Sequence, residues 1–135
     1  MTKTKYKASY QSMKRQEIPT EAQEQRKVVK YCAVRGIPCF HIPNGGQRGK
    51  VCAYQMKLQG VKAGVPDLCI PLARHGYHGL YIEMKRAKNF KLRDNQRAWI
   101  YLLNRNGYLA RVCAGAENAI ELIHRYVDGG ENDCA

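Results

Sequence analysis

Two carboxylates and a lysine stand where two apolar segments flank a turn. Asp67 follows Gly64-Val65-Pro66 and leads into Leu68-Cys69-Ile70, while Glu83 and Lys85 lie within Leu80-Tyr81-Ile82-Glu83-Met84-Lys85. Side chains alternate along a strand, so Glu83 and Lys85 project from one face and Ile82 and Met84 from the other. The connecting Ala73-Arg74-His75-Gly76-Tyr77-His78-Gly79 is rich in turn formers and predicts a hairpin loop. Closing that hairpin returns Asp67 to the side of Glu83 and Lys85. Two acids and a lysine beside apolar strands pack poorly, but they suit a divalent cation held against a phosphate. A hard cation takes oxygen ligands, polarises a phosphoryl oxygen and acidifies bound water. A nearby ammonium steadies developing charge. Asp67 and Glu83 are therefore candidate ligands for Mg2+ or Mn2+, with the Met84 backbone carbonyl as a further one. Lys85 is the candidate for orienting water or neutralising charge.

The flanking elements must position these groups. Thr20, with Gln23 three residues on, predicts a capping box for a helix reaching about Val34 and stopping at Gly36. Its expected apolar stripe is Ala22, Val28, Val29, Tyr31, Cys32 and Ala33. Glu21 and Gln25 fall on that stripe and Glu24 on its flank. A glutamate here has two explanations: a third metal ligand, or a helix-start charge placed for the macrodipole. Ile37–Ile42 predicts a strand. Pro43–Lys50 predicts a glycine-rich basic loop, with Asn44, Arg48 and Lys50 facing a phosphate backbone. The loop lacks P-loop spacing.

Residues 51–59 predict a short helix. Beyond Lys85 comes a basic run with Arg86, Lys88, Lys91 and Arg93. Asp94 is the expected cap of a helix to about Asn106, with Trp99, Tyr101, Leu102 and Leu103 as core. Gly107 is its expected stop. A strand at Tyr108–Cys113 and a helix at Glu117–Val127 complete the order.

The chain has 135 residues and a net charge of +12. This length suits one domain, and the charge points to a polyanionic partner. Residues 1–17 are expected to be a basic flexible arm, following a phosphate backbone or merely solubilising. Residues 18–127 are the expected folded domain, and 128–135 a polar tail. None of the six cysteines forms a C-x-x-C pair, which predicts reduced, mostly buried thiols. No apolar run is long enough to cross a bilayer. No apolar stretch follows the N-terminal lysines, so a cytoplasmic location is expected.

The combination of Gly64-Val65-Pro66-Asp67, Glu83-Met84-Lys85, the Asn44-Gly45-Gly46 loop, Glu21 with Gln25, and Gln96 resembles the virus-type replication-repair nuclease (VRR-NUC) family of the PD-(D/E)XK superfamily. The resemblance covers residues 18–127. It implies an α/β fold with a restriction-endonuclease-like αβββαβ core, a central mixed sheet flanked by helices. It also implies a magnesium- or manganese-dependent nuclease acting on structured DNA such as flaps or four-way (Holliday) junctions in DNA repair, phage or bacterial in origin and homodimeric. Carried over, Asp67 and Glu83 are metal ligands and Lys85 the catalytic lysine. Glu21 is the helix-one glutamate, with Glu24 its rival. Gln96 matches a glutamine often found after the E-x-K strand. The serine or threonine that commonly precedes it is replaced here by Arg93 and Asp94.

Other patterns compete. His75, His78 and Cys69 invite a zinc site but lack a second tight ligand pair. His41 is either a DNA contact or a satisfied core histidine. Among functions, the rivals are a non-catalytic DNA-binding protein on the same fold, a sequence-specific restriction-type endonuclease, and an RNA-processing nuclease.

Overall fold

The computed structural model describes residues 18–44, 49–86 and 89–130. The N-terminal basic arm, Arg48, Lys88 and Cys134 lie outside the described residues.

Helix α1 spans Glu21–Arg35 and opens with the expected capping box. Thr20 Oγ1 accepts from the Gln23 amide at 3.2 Å, and Gln23 Oε1 accepts from the Thr20 amide at 2.9 Å. Gly36 ends it at φ +66°, where the Ile37 amide reaches back to the Cys32 carbonyl at 2.8 Å. Such a left-handed stop favours glycine.

Four strands follow: β1 (Phe40–His41), β2 (Leu68–Ile70), β3 (Leu80–Lys85) and β4 (Leu109–Ala114). They lie in the order β1-β2-β3-β4. The first three form an antiparallel meander, and β4 joins β3 in parallel. A parallel neighbour requires a crossover, which α3 (Asp94–Arg105) supplies. Helix α2 (Lys50–Leu58) is inserted between β1 and β2, and α4 (Ala116–Asp128) follows β4. This is the mixed α/β architecture the sequence led us to expect.

Local chemistry explains the differences in detail. Only Phe40–His41 of the expected Ile37–Ile42 strand is paired, because Pro38 has no amide to donate and β2 is three residues long. The hairpin turns at His75-Gly76, with φ of +52° and +82°, and Arg74 and Tyr77 exchange backbone bonds at 3.2 and 2.8 Å. Positive φ at both central residues matches the right-handed strand twist.

The sheet has one apolar face. Leu68, Ile70, Leu80, Ile82 and Met84 are buried there with Val28 and Cys32 of α1 and with Ala119, Ile123 and Tyr126 of α4. The α1 stripe is narrower than its sequence predicts. Val28 and Cys32, four apart, enter the core, whereas Ala22, Val29 and Ala33 are exposed. Residue 29 is about 100° round the helix from residue 28. Helix α3 also departs from expectation. It packs mainly on β4 and buries only Leu103. Trp99 is half-buried, and Tyr101 and Leu102 are 63% and 49% exposed. Asp94 is not its cap: Arg93 holds that position, and Asp94 pairs with Arg97 at 3.6 Å.

Glu24 joins the two helices of the apolar face. Its Oε2 accepts from the Ala116 amide at 2.5 Å, and Oε1 takes Lys27 Nζ at 3.2 Å. Gly115, the residue before α4, has no side chain to cap that helix, so an acid from α1 does so. The Ala116 amide holds the Glu24 carboxyl below its ordinary pKa of 4.5, against the effect of burial. Charge-assisted bonds of this kind contribute about 1.5–3 kcal/mol, so Glu24→Ala is expected to lower unfolding stability by roughly that amount in urea at pH 7. The depressed folded pKa means the contribution is full above the unfolded value and fades as pH falls through the folded one. The gap between wild type and Glu24→Ala should therefore narrow as pH falls below 4.5 and close only below the depressed folded value.

Candidate active site

The β2–β3 register pairs Leu68 with Ile82 and Cys69 with Tyr81. Continued one residue, it sets Asp67 opposite Glu83, on the face away from the apolar core. Met84 fixes this approach: its amide donates to Asp67 Oδ2 at 2.8 Å. The amide and carbonyl of a strand residue face the same neighbour, so the Met84 carbonyl also points to the Asp67 side. Asp67 is held from behind too, since its own carbonyl accepts from the Ile42 amide at 2.8 Å. His41 Nδ1 lies 2.9 Å from that carbonyl oxygen. Gln25 reaches the same histidine nitrogen at 2.9 Å.

Glu83 is 3% exposed. Its Oε1 accepts from Gln96 Nε2 at 2.8 Å and lies 3.6 Å from Lys85 Nζ. Its Oε2 is buried and has no hydrogen-bond partner among the described residues. Burial, reinforced by the neighbouring Asp67 charge, pushes the Glu83 carboxyl up to about 7. Burial also raises Asp67, against the pull of the Met84 amide.

Gln96, in the first turn of α3, bridges the site. Besides donating to Glu83, its Oε1 accepts from Lys85 Nζ at 3.1 Å and from the Arg93 amide at 2.9 Å. An arginine at the cap has no acceptor to return, so this glutamine alone ties the helix start to both strand residues.

These groups line one cleft of about 310 Å³, shared by Glu21, His41, Asn44, Gly64, Asp67, Glu83, Lys85, Arg93 and Gln96. The structure thus places Glu21 at the cleft and commits Glu24 elsewhere. Among the described residues, no three His, Cys, Asp or Glu side chains stand as a ready metal cage. Magnesium does not require one, because it keeps several waters and takes one or two carboxylates plus substrate phosphate. The orphan Glu83 oxygen beside Asp67 fits such an ion. Three carboxylates facing one lysine and one arginine leave an excess of negative charge there.

The nucleic-acid candidates are dispersed. Arg93 lines the cleft, while Lys50 and Lys91 are exposed. Arg86 is exposed and donates to the Ile18 carbonyl at 2.7 Å. Asn44 donates to the Val65 carbonyl and so pins the approach to Asp67. Away from the site, His75 Nε2 lies 2.9 Å from the Tyr126 carbonyl. His78 stacks edge-on against Tyr108 at 5.5 Å.

The family model of the VRR-NUC domain matches residues 15–117. The chain belongs to the VRR-NUC family. A solved structure described as a VRR_NUC domain protein shares 33% identity with it, at a TM-score of 0.72 over 85% of this chain and 93% of that one. Another, described as a VRR_NUC domain, shares the fold at 18% identity and a TM-score of 0.56, over 80% of this chain and 99% of that one. No curated protein matches the chain. Membership makes this a nuclease-type, DNA-processing domain. Among the described residues no helix is long and apolar enough to cross a membrane.

The structure adds three roles the sequence did not announce. They are the Glu24 cap on α4, the His41 hold on the Asp67 carbonyl, and the need for Gly64. Only the first had a sequence signal, a glycine where a helix cap should stand. Gly64 has φ +90°, and a Cβ there would meet the Asn95 carbonyl carbon at 2.7 Å. Gly64→Ala is thus expected to push the start of α3 from the Asp67 approach and lower the urea midpoint by the equivalent of roughly 1–3 kcal/mol. Gln96→Ala should leave the fold intact and reduce kcat by about 10–100-fold with KM little changed, as measured by steady-state cleavage.

Proposed function

We propose that this VRR-NUC chain is a divalent-metal-dependent deoxyribonuclease that hydrolyses phosphodiester bonds in branched, flapped or four-way junction DNA. The observation that carries this is the buried, unpartnered Oε2 of Glu83, a residue that shares one cleft with Asp67 and Lys85. A buried anion left half-paired is costly, and a cation supplied with the substrate satisfies it. Asp67, Glu83 and the Met84 carbonyl would hold the ion, with Glu21 at the rim. Magnesium or manganese would supply Lewis acidity to the phosphate and an acidified water.

The protein's own groups do the rest. Gln96 holds the Lys85 ammonium within reach of Glu83, so Lys85 meets a phosphate or its attacking water at a fixed position. His41 and Ile42 keep the Asp67 backbone from yielding. Arg93 at the cleft, with exposed Lys50 and Lys91, takes the flanking phosphates. Two copies belong to the same proposal: α3 exposes Tyr101 and Leu102, apolar surface of the kind a symmetric partner covers.

Duplex, single-stranded, flapped, splayed and four-way DNA incubated with Mg2+, Mn2+ or EDTA provide the test. Cleavage of the branched forms is expected with either metal and none with EDTA. Asp67→Asn, Glu83→Gln and Lys85→Ala should keep thermal stability and DNA binding while losing at least about a hundredfold in kcat. Wild-type rates from any of the three remove that residue from the site. DNA left whole with both metals present favours a binding protein on the nuclease fold. Light scattering at working concentration reads the dimer.

A further inference from the structure

Helix α2 leaves the chain between two points on the cleft wall, Asn44 and Ala63. It has no substantial packing against another helix or strand among the described residues. Ala53 and Met56 are half-buried on its inner side. On the opposite side Val51, Tyr54 and Leu58 are 76%, 61% and 64% exposed. Their spacing of three and four puts them in one stripe, and Lys50 and Lys57, seven apart, form a cationic ridge along its edge. A nine-residue helix with its apolar stripe in water is marginal, so this face is built to be covered.

Charge decides by what. From Gln25 to Pro66 the sequence contains no acidic residue. A second copy set symmetrically against this face would bring Lys50 and Lys57 against their own counterparts. A polyanion with exposed flat bases meets both features: phosphates take the lysines, and a base stacks on Tyr54, as on platforms for single strands.

We propose that α2, whose flanking residues Asn44 and Ala63 line the cleft, binds unpaired nucleotides of the substrate, with Tyr54 stacking on a base and Lys50 and Lys57 on the adjoining phosphates. This rests on the nuclease reading of the cleft and gives it a source of selectivity among the branched substrates: flapped and splayed DNA, which carry unpaired nucleotides, gain a contact that fully paired DNA lacks.

The test is fluorescence anisotropy of the full-length chain in EDTA, with a fluorescein-labelled duplex bearing a thymidine overhang and the same duplex blunt-ended. Tyr54→Ala is expected to bind the overhang about tenfold more weakly and the blunt duplex unchanged. Tyr54→Phe should bind as wild type. Lys50→Gln with Lys57→Gln should lower the salt dependence on the overhang by about two ions. A thermal unfolding midpoint unchanged in Tyr54→Ala, whose side chain is exposed, confirms an intact fold.

Equal loss on both DNAs, no loss on either, or no binding by wild type overturns the proposal. So does conversion of a dimer to a monomer by Tyr54→Ala, which would assign the face to a second copy. Binding needs no cleavage, so the two proposals fail separately. Cutting that is indifferent to Tyr54 removes this one, whereas Tyr54-dependent binding without cutting removes the nuclease.

Discussion

Glu83 brings a carboxylate into a site that satisfies only one of its oxygens. Gln96 and Lys85 serve Oε1, and Oε2 is buried without a partner. Burying an ionised group costs several kcal/mol unless it is paired and hydrogen-bonded, and burial with the neighbouring Asp67 charge pushes this carboxyl up to about 7. The surrounding architecture can be understood as the means of holding that unfinished arrangement still. Strand β3 carries it, β2 sets Asp67 opposite, and α3 brings the glutamine that bridges the acid and the lysine.

The sheet separates two jobs. Its apolar face, packed under α1 and α4, provides the burial that stabilises the fold. The other face holds the polar cleft, where groups are kept apart from their best partners. Alternation along β3 produces both from consecutive residues: Ile82 and Met84 enter the core while Glu83 and Lys85 enter the cleft. A slip of one residue would exchange the faces. The Met84 amide bound to Asp67 Oδ2 therefore fixes register as well as geometry.

Glu21 and Glu24 show how the same residue type in one helical turn comes to different ends. Glu24 lies in line with Val28 and Cys32 and is carried into the interior, where the uncapped start of α4 receives it. Glu21, one turn earlier, stands exposed at the cleft rim. Helical periodicity placed both near the inward side without separating them, because what distinguishes them is the location of α4, nearly a hundred residues further along. Helix α3 failed to match its sequence for a related reason. Its apolar residues were legible, but which of them find a surface depends on the narrow contact with β4, which leaves Tyr101 and Leu102 exposed.

Local rules in the sequence were enough for the start and stop of α1, the hairpin, the alternation of β3 and the pairing of Asp67 with Glu-x-Lys, since each depends on residues near in the chain. Only the tertiary structure decided which glutamate meets the cleft, that Gln96 bridges Glu83 and Lys85, that Gly64 must be a glycine, and that one oxygen of Glu83 is left unsatisfied. Each of these depends on the distance between atoms far apart in the chain. Burial and hydrogen-bond satisfaction are set by that packing and leave no periodic trace in the sequence.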